Sequence, residues 1–261
     1  MRTIDLGSRG LDDVPEWALE DPAAEELNLY DNALTAVPEA VWELSELRVL
    51  NLSVNRLTEV SERIGRLTHL HTLDLGHNQL TRIPEAIGDL PELSRYLYLS
   101  DNRFASVPDS IGRLATLRYL NVTDNELTEL PEGIGGLASL RELRLYGNRL
   151  TTLPDAIGVL GQLRELHLMN NPIARLPEAI GRLRGLRVLD LRNCALAALP
   201  PTMRELAALR HLDLRNNKLR ALPDWLAELP SLEKLDLRWN RLDPVPGWVD
   251  ELEGRGCAVL L

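Results

Sequence analysis

Cysteine, phenylalanine and methionine are scarce in this chain of 261 residues, which has two, one and three of them. Two cysteines, Cys194 and Cys257, are too few for the disulfide framework that stabilises small secreted proteins. This scarcity predicts a protein with reduced thiols in the cytoplasm.

Long apolar runs are missing as well. No stretch of about 18 consecutive apolar residues occurs anywhere in the chain. The first residues, MRTIDLGSRGLDDVPEW, contain no apolar core of signal-peptide length. Together these absences predict a chain that neither spans nor enters a membrane.

An excess of basic residues is also absent. The 39 acidic residues outnumber the 29 basic ones, and the formal net charge is −10. Binding to a phosphate backbone requires a basic surface that releases counterions. The charge balance therefore predicts that the partner is not a nucleic acid.

A single repeat runs through the whole chain. The asparagine that closes each Leu-x-Leu-x-x-Asn segment recurs every 23 residues, with one step of 24. The asparagines are Asn32, Asn55, Asn78, Asn102, Asn125, Asn148, Asn171, Asn217 and Asn240. Cys194 stands at the one missing position and Arg9 at the position one step before Asn32, so the pattern predicts eleven copies.

Each copy carries the same order of apolar and polar positions. Alternating leucines predict a short strand with one buried face. The closing asparagine is expected to bond backbone groups of neighbouring copies. A proline follows, whose fixed φ predicts the first residue of a short helix; Ser61 replaces it in one copy. No copy can bury its leucines alone, so the copies must stack.

The segment LTELPEGIGGLASLRELRLYGNRL (127–150) resembles the consensus of the leucine-rich-repeat family. It resembles most the 23-residue intracellular type of Ras-suppressor-like, Scribble-like and many bacterial proteins. The resemblance implies an α/β fold: a right-handed solenoid with a parallel concave β-sheet, short convex helices, about 11 repeats and a terminal cap strand. We predict a single domain over 1–261, with a degenerate first repeat at 1–22 and a C-terminal cap at 247–261.

Side chains that alternate with the buried leucines face solvent from the concave side of the predicted sheet. All the tyrosines of the chain fall on this face: Tyr30, Tyr96, Tyr98, Tyr119 and Tyr146. Four of them belong to copies five, six and seven. Tyr96 and Tyr119 occupy the same column on adjacent strands, where side chains are close enough to touch.

Tyrosine, arginine and methionine are enriched in the cores of protein interfaces. We therefore predict that a partner binds a surface formed by Tyr96, Tyr98, Tyr119, Tyr146, Arg144, His167 and Met169. The alternative is that tyrosine follows its preference for strands. That preference alone would scatter the tyrosines along the whole sheet.

Three late copies share the segment Leu-Asp-Leu-Arg, which places aspartates in one column and arginines in the next. Residues two apart on a strand share a face, so we expect the two columns to pair. Exposed pairs of this kind contribute little to stability. They are secondary candidates for partner binding together with one tryptophan: Asp190, Arg192, Asp213, Arg215, Asp236, Arg238 and Trp239.

One copy, LSRYLYLSDN (93–102), has an additional residue. Its first two leucines, Leu93 and Leu97, are four apart, whereas other copies have a spacing of three. The surplus residue predicts a bulge or an enlarged loop before the strand that carries Tyr96 and Tyr98. Either it shapes the binding surface or it is a neutral insertion, and the sequence leaves both open.

Metal binding and catalysis are not expected. His69, His71 and His77 lie near Asp74, but they occupy different positions of the repeat. No residue pattern indicates a nucleophile with an adjacent base or a loop that cradles phosphate. We predict no metal, no cofactor and no enzymatic activity.

The predicted function is that of a non-catalytic protein–protein interaction module. It binds a protein or peptide partner through the concave face. The alternative is a scaffold solenoid that associates with itself, the chain then being a weak homodimer rather than a monomer. The resemblance to Ras-group repeat proteins implies a small GTPase as a candidate partner.

Overall fold

The computed structural model describes residues 2–261, which form one parallel sheet of twelve strands in sequence order. The strands are β1 (Thr3–Asp5), β2 (Glu26–Asn28), β3 (Val49–Asn51), β4 (Thr72–Asp74), β5 (Tyr96–Tyr98), β6 (Tyr119–Asn121), β7 (Glu142–Arg144), β8 (Glu165–His167), β9 (Val188–Asp190), β10 (His211–Asp213), β11 (Lys234–Asp236) and β12 (Ala258–Leu260). Eleven copies and a closing strand account for this number. The predicted α/β solenoid is confirmed.

The strands form because leucines alternate with polar residues over each one. Leu97 and Leu99 are fully buried, whereas the side chains of Tyr96 and Tyr98, which alternate with them, face solvent. The central leucines of neighbouring strands pair directly, as Leu97 does with those of β4 and β6. A column of leucines therefore runs the length of the molecule and forms one continuous core.

Short helices cover the opposite side of this core. The 3-10 helices are η1 (Glu16–Leu19), η2 (Glu39–Glu43), η3 (Glu62–Arg66), η4 (Glu85–Asp89), η5 (Asp109–Arg113), η6 (Glu132–Gly136), η7 (Asp155–Val159), η8 (Glu178–Arg182) and η9 (Pro201–Glu205). The last two copies have α-helices instead: α1 (Trp225–Glu228) and α2 (Val249–Gly254). Within residues 2–261 no helix has the length and apolar character needed to cross a bilayer.

In the copies with 3-10 helices the recurring proline lies immediately before the helix, whereas the sequence predicts it as the first residue of the helix. Pro131 has an extended conformation with φ −71° and ψ 156°, so it is the residue before η6. Its carbonyl accepts the first helical hydrogen bond, from Ile134 N at 3.1 Å, which is the role of a cap. Ser61 takes over this role in η3, and its side chain also accepts a hydrogen bond from Arg63 N at 3.2 Å.

The closing asparagines form the ladder that the sequence predicts. Asn125 Nδ2 donates to Leu99 O of the preceding copy at 3.0 Å and, in its own copy, to Val122 O at 3.4 Å and Thr123 O at 2.9 Å. Its Oδ1 accepts from Phe104 N at 3.0 Å. One buried side chain therefore satisfies backbone groups of two copies at once.

Cys194 substitutes for asparagine in this ladder. Its Sγ lies 3.5 Å from Leu168 O and 3.8 Å from Arg192 O, the carbonyls that the amide of an asparagine would reach. Burial raises the pKa of this thiol to about 12. Cys257 is buried too, and neither cysteine is in a disulfide. Arg9, at the first ladder position, is exposed as expected.

The additional residue of copy five is accommodated before the strand and forms no bulge within it. Strand β5 keeps an unbroken register, with Thr72 opposite Tyr96 and Tyr96 opposite Tyr119. The surplus residue is therefore Ser94, in the loop between Leu93 and the strand. Of the two predicted geometries, the enlarged loop is the one that forms.

Candidate protein-interaction surface

Three tyrosines from two adjacent strands form a connected aromatic cluster on the concave face. Tyr96 and Tyr98 on β5 stack with ring centroids 5.7 Å apart and an interplanar angle of 14°. The ring of Tyr119 on β6 packs edge-on against that of Tyr96, with centroids 5.6 Å apart, and is tilted by 51° to that of Tyr98, with centroids 5.1 Å apart. We call Tyr96, Tyr98 and Tyr119 the tyrosine cluster. Such ring geometries are favourable beyond the area they bury.

An arginine extends the cluster to the next strand. Arg144 on β7 lies with its guanidinium 5.6 Å from the ring centroid of Tyr119, a distance typical of a cation–π contact. Its Nε also donates to Glu142 Oε1 at 2.5 Å. The guanidinium is thus fixed against the aromatic rings, and the surface combines an apolar platform with an oriented charge.

Burial keeps the hydroxyl groups of Tyr98 and Tyr119 protonated to higher pH than usual. Burial raises the pKa of Tyr119 to about 12, and burial also raises the pKa of Tyr98. Tyr96 nevertheless keeps 44% of its surface exposed. The cluster therefore offers neutral hydroxyl donors beside exposed ring faces, which suits contact with another protein.

Titration with base is expected to separate Tyr119 from an ordinary tyrosine. The absorbance of tyrosinate near 295 nm should show a late component near pH 12 in the wild type, and Tyr119→Phe should remove it. The pKa of Tyr119 in the folded chain lies above its ordinary value of about 10. The protonated hydroxyl group of Tyr119 therefore contributes fully to stability below about pH 10. The contribution is lost as the pH rises through about 12. Ionisation of all tyrosines in one step at their ordinary pKa would contradict the geometry.

The remaining predicted residues continue along the concave face beyond the cluster. Tyr146 lies half-buried just after β7, and within residues 2–261 no ring contact joins it to the cluster. His167 Nε2 lies 3.2 Å from Glu165 Oε2. Met169 Sδ lies 2.6 Å from Arg192 Nη2. The structure therefore gathers three of the predicted tyrosines with Arg144 and leaves the others as separate neighbours.

The pairing predicted for the aspartate and arginine columns occurs at their C-terminal end. Arg215 bridges two strands, with Nη2 2.5 Å from Asp213 Oδ2 and Nε 3.2 Å from Asp236 Oδ2. Arg238 Nη2 lies 2.7 Å from the same carboxylate of Asp236, which is only 1% exposed. These side chains satisfy one another.

The same pairing fails one copy earlier. Arg192 points to the sulfur of Met169, and among residues 2–261 Asp190 has no ion pair. Asp190 accepts only the backbone N–H of Arg192, at 3.0 Å. Burial raises the pKa of this carboxyl group, and the nearby charge of Asp213 adds to that effect. The prediction of uniform pairing along the columns is therefore wrong at this position.

Trp239 is exposed at the end of the secondary surface. Its side chain is 68% accessible, and the guanidinium of Arg238 lies 5.6 Å from its ring centroid. Its φ of 60° is a left-handed conformation that bulky residues rarely adopt. Asn193 and Asn216 occupy the equivalent position in the two preceding copies. Nothing tests its role in binding, which stays a prediction.

Possible metal ligands lie at two places. Glu142, Glu165 and His167 bring ligand atoms within 4.8 Å of one another, but Glu142 already holds the cation of Arg144. Of the histidines near Asp74, His69 and His71 both approach Glu92 instead, at 3.3 Å and 3.4 Å. In both arrangements the carboxylates therefore have partners within the protein.

The sequence reading missed a column of arginines beside the cluster. Each is the residue immediately before its strand, so it lies outside the side chains that alternate with the buried leucines of the strand. A cleft of about 460 Å³ is lined by Arg95, Tyr96, Arg118, Tyr119, Arg141 and Glu142. The sequence does contain a signal for this column, since arginine recurs immediately before the strand with the period of the repeat. A cavity of similar size on the convex face lies among η7, η8 and η9, away from the cluster.

The fold is a repeat solenoid, and family models agree. The leucine-rich repeat region model matches residues 107–168 and 155–254. Two further leucine-rich repeat models match residues 45–104 and 95–114. The chain belongs to the leucine-rich-repeat family. Domains of this family generally serve as protein-interaction modules and are typically non-catalytic.

Solved structures show the same fold. A leucine-rich-repeat protein of Leptospira interrogans is 30% identical, with a TM-score of 0.80 over 100% of this chain and 72% of that one. The ectodomain of the Arabidopsis thaliana receptor kinase GASSHO1/SCHENGEN3, in complex with CASPARIAN STRIP INTEGRITY FACTOR 2, is 29% identical with a TM-score of 0.64. That match covers 100% of this chain but 38% of the receptor chain. An internalin of Listeria monocytogenes, 18% identical over 100% of this chain and 86% of that one, is similar in fold with a TM-score of 0.68. No curated protein sequence matches.

Proposed function

We propose that this chain is a non-catalytic protein-interaction module whose partner binds the concave face at the tyrosine cluster. The observation that carries the proposal is the contact of Tyr96, Tyr98 and Tyr119 with one another on the solvent-facing side of the sheet. Arg144 completes the set. Clustered aromatic residues with an arginine are the side chains that contribute most at protein interfaces.

The similarity to the receptor ectodomain that was solved with a bound factor supports a protein or peptide as the partner. Three narrower statements stay proposals: membership of the 23-residue intracellular type, a small GTPase as the partner, and a cytoplasmic location. Fractionation of native cells, followed by detection of the chain, tests the last of these.

Affinity capture from native extract tests the proposed site. The baits are the wild type, a variant with alanine at all three positions of the tyrosine cluster, and the control Tyr30→Ala. Tyr30 is 42% exposed on the same face, close to the 44% of Tyr96, but it has no ring contact with the cluster. We expect a captured protein to be retained by the wild type and the control. It should bind the cluster variant about 100-fold more weakly.

A partner that all three baits retain equally would place the site elsewhere, and the secondary surface around Trp239 would be the next candidate. Self-association is the alternative function. Light scattering after size exclusion separates the two: a concentration-dependent dimer that is lost in Tyr98→Ala would favour the scaffold. A monomer at all concentrations would leave only binding to a different protein.

A further inference from the structure

The arginines that precede the strands differ in how they are neutralised. Near the N-terminal end, Arg48 Nε lies 3.5 Å from Glu25 Oε1. Near the C-terminal end, Arg210 Nη1 lies 3.3 Å from Glu233 Oε1. Arg164 Nη1 donates to backbone carbonyls, among them those of Leu163 at 3.2 Å and Gly185 at 3.3 Å. These members of the column have partners within the protein, whereas Arg187, farther along the sheet, is exposed and makes no ion pair among residues 2–261.

The three arginines beside the tyrosine cluster have none. Within residues 2–261, the guanidinium groups of Arg95, Arg118 and Arg141 make no ion pair and no hydrogen bond, and all three residues are exposed. We call these three the arginine ridge. Their side chains are cationic, as arginine side chains are in proteins. They are adjacent along the sheet, where strands lie about 4.8 Å apart, and they repel one another.

The chain has 39 acidic residues and a net charge of −10. Carboxylates are available to neutralise most cations of the surface, yet three neighbouring arginines remain unpaired at the aromatic platform. Tyr96 and Tyr119 line the same cleft as the ridge. The cleft thus offers guanidinium donors and ring faces, and the carboxylate of Glu142, which also lines it, is paired with Arg144.

We infer that the arginine ridge binds a short, extended acidic segment of the protein partner, with Asp or Glu side chains on the guanidinium groups and an apolar side chain on Tyr96 and Tyr119. The inference rests on the proposed function, because it names the chemistry of the partner at the same face. Arginine suits this task since its planar group holds a carboxylate through two parallel hydrogen bonds.

Dimensions narrow the segment further. Three strands span about 10 Å between the outer arginines. In an extended peptide, side chains two residues apart lie on the same face and are separated by about 7 Å, whereas side chains three residues apart point to opposite faces. The ridge therefore matches two carboxylates with one residue between them, which lie on the same face of the peptide. A nucleic acid fits less well, because strong binding requires many neutralised phosphates along a longer basic track.

A library of short random peptides displayed on phage provides the probe. It is selected on the wild type, on a ridge variant (Arg95→Glu, Arg118→Glu, Arg141→Glu) and on a matched control (Arg56→Glu, Arg103→Glu, Arg175→Glu). The control residues are exposed arginines that make no ion pair among residues 2–261, and their replacement changes the net charge equally. Circular dichroism checks folding, and glutamine replaces glutamate at the ridge if the first variant does not fold.

The expected result is enrichment, on the wild type and the control, of peptides with two acidic residues separated by one residue, beside an apolar residue. Individual peptides should bind the ridge variant about tenfold more weakly. Peptides that require the tyrosine cluster but show no acidic bias would overturn this inference and leave the proposed function intact. Absence of any peptide that depends on the cluster would count against both. Tighter, ridge-dependent binding of a uridine-only RNA oligonucleotide would overturn it in favour of a nucleic acid.

Discussion

Replacing Asn125 with alanine is expected to lower the free energy of unfolding by about 3–4 kcal/mol. The carboxamide is buried, and its hydrogen bonds to Leu99 O, Thr123 O and Phe104 N have lengths of 2.9 to 3.0 Å. Alanine leaves these groups without partners in the core, and each unsatisfied buried group is costly. Urea denaturation followed by circular dichroism measures the change.

Asn170→Gly is the matched control for this substitution. Asn170 lies one residue before a ladder asparagine, but its side chain is exposed and accepts one hydrogen bond, from Asn193 Nδ2 at 2.7 Å. Glycine tolerates the φ of 59° at this position. The control should therefore change the stability by no more than about 0.5 kcal/mol. Equal effects of the two substitutions would show that the ladder does not hold the copies together.

The fold was predictable because the same pattern of buried leucines and closing asparagine recurs in nearly every copy. One copy of the Leu-x-Leu-x-x-Asn pattern is ambiguous, but the ladder from Asn32 to Asn240 fixes both the period and the stacking. Alternation within each copy also fixes which side chains face out. For this reason Tyr96 and Tyr119 could be placed side by side from sequence alone, and they lie opposite each other in the sheet.

The details that were missed depend on choices that a repeat pattern does not encode. Spacing places Arg192 beside Asp190, but rotamers allow it to reach Met169 instead. Likewise, the column that contains Arg118 lies before the strand, and the alternation of side chains within a strand does not predict which way these arginines point. The sequence also allows the surplus residue to lie within the strand. It lies in the loop instead, because a shift of one residue in the register would have turned the leucines of β5 to solvent.

Behind the tyrosine cluster the two convex helices η5 and η6 touch through their backbones. A Cβ atom at Gly112 would lie 2.1 Å from Gly133 O, and one at Gly136 would lie 2.2 Å from Gly112 O. These helices follow β5 and β6, the strands that carry the cluster. Close packing on the convex side sets how neighbouring copies rotate, and so it shapes the concave surface.

Gly112→Ala is therefore expected to destabilise the chain by about 3 kcal/mol. The added methyl group would clash with the backbone of Gly133, which cannot move away as a flexible side chain could. Thermal unfolding monitored by circular dichroism measures the loss. Gly161→Ala is the control, since its Cβ would meet nothing closer than Val159 O at 4.0 Å. A change at Gly112 no larger than that at Gly161 would mean that the helices separate freely, and that their contact does not shape the surface around Tyr96 and Tyr119.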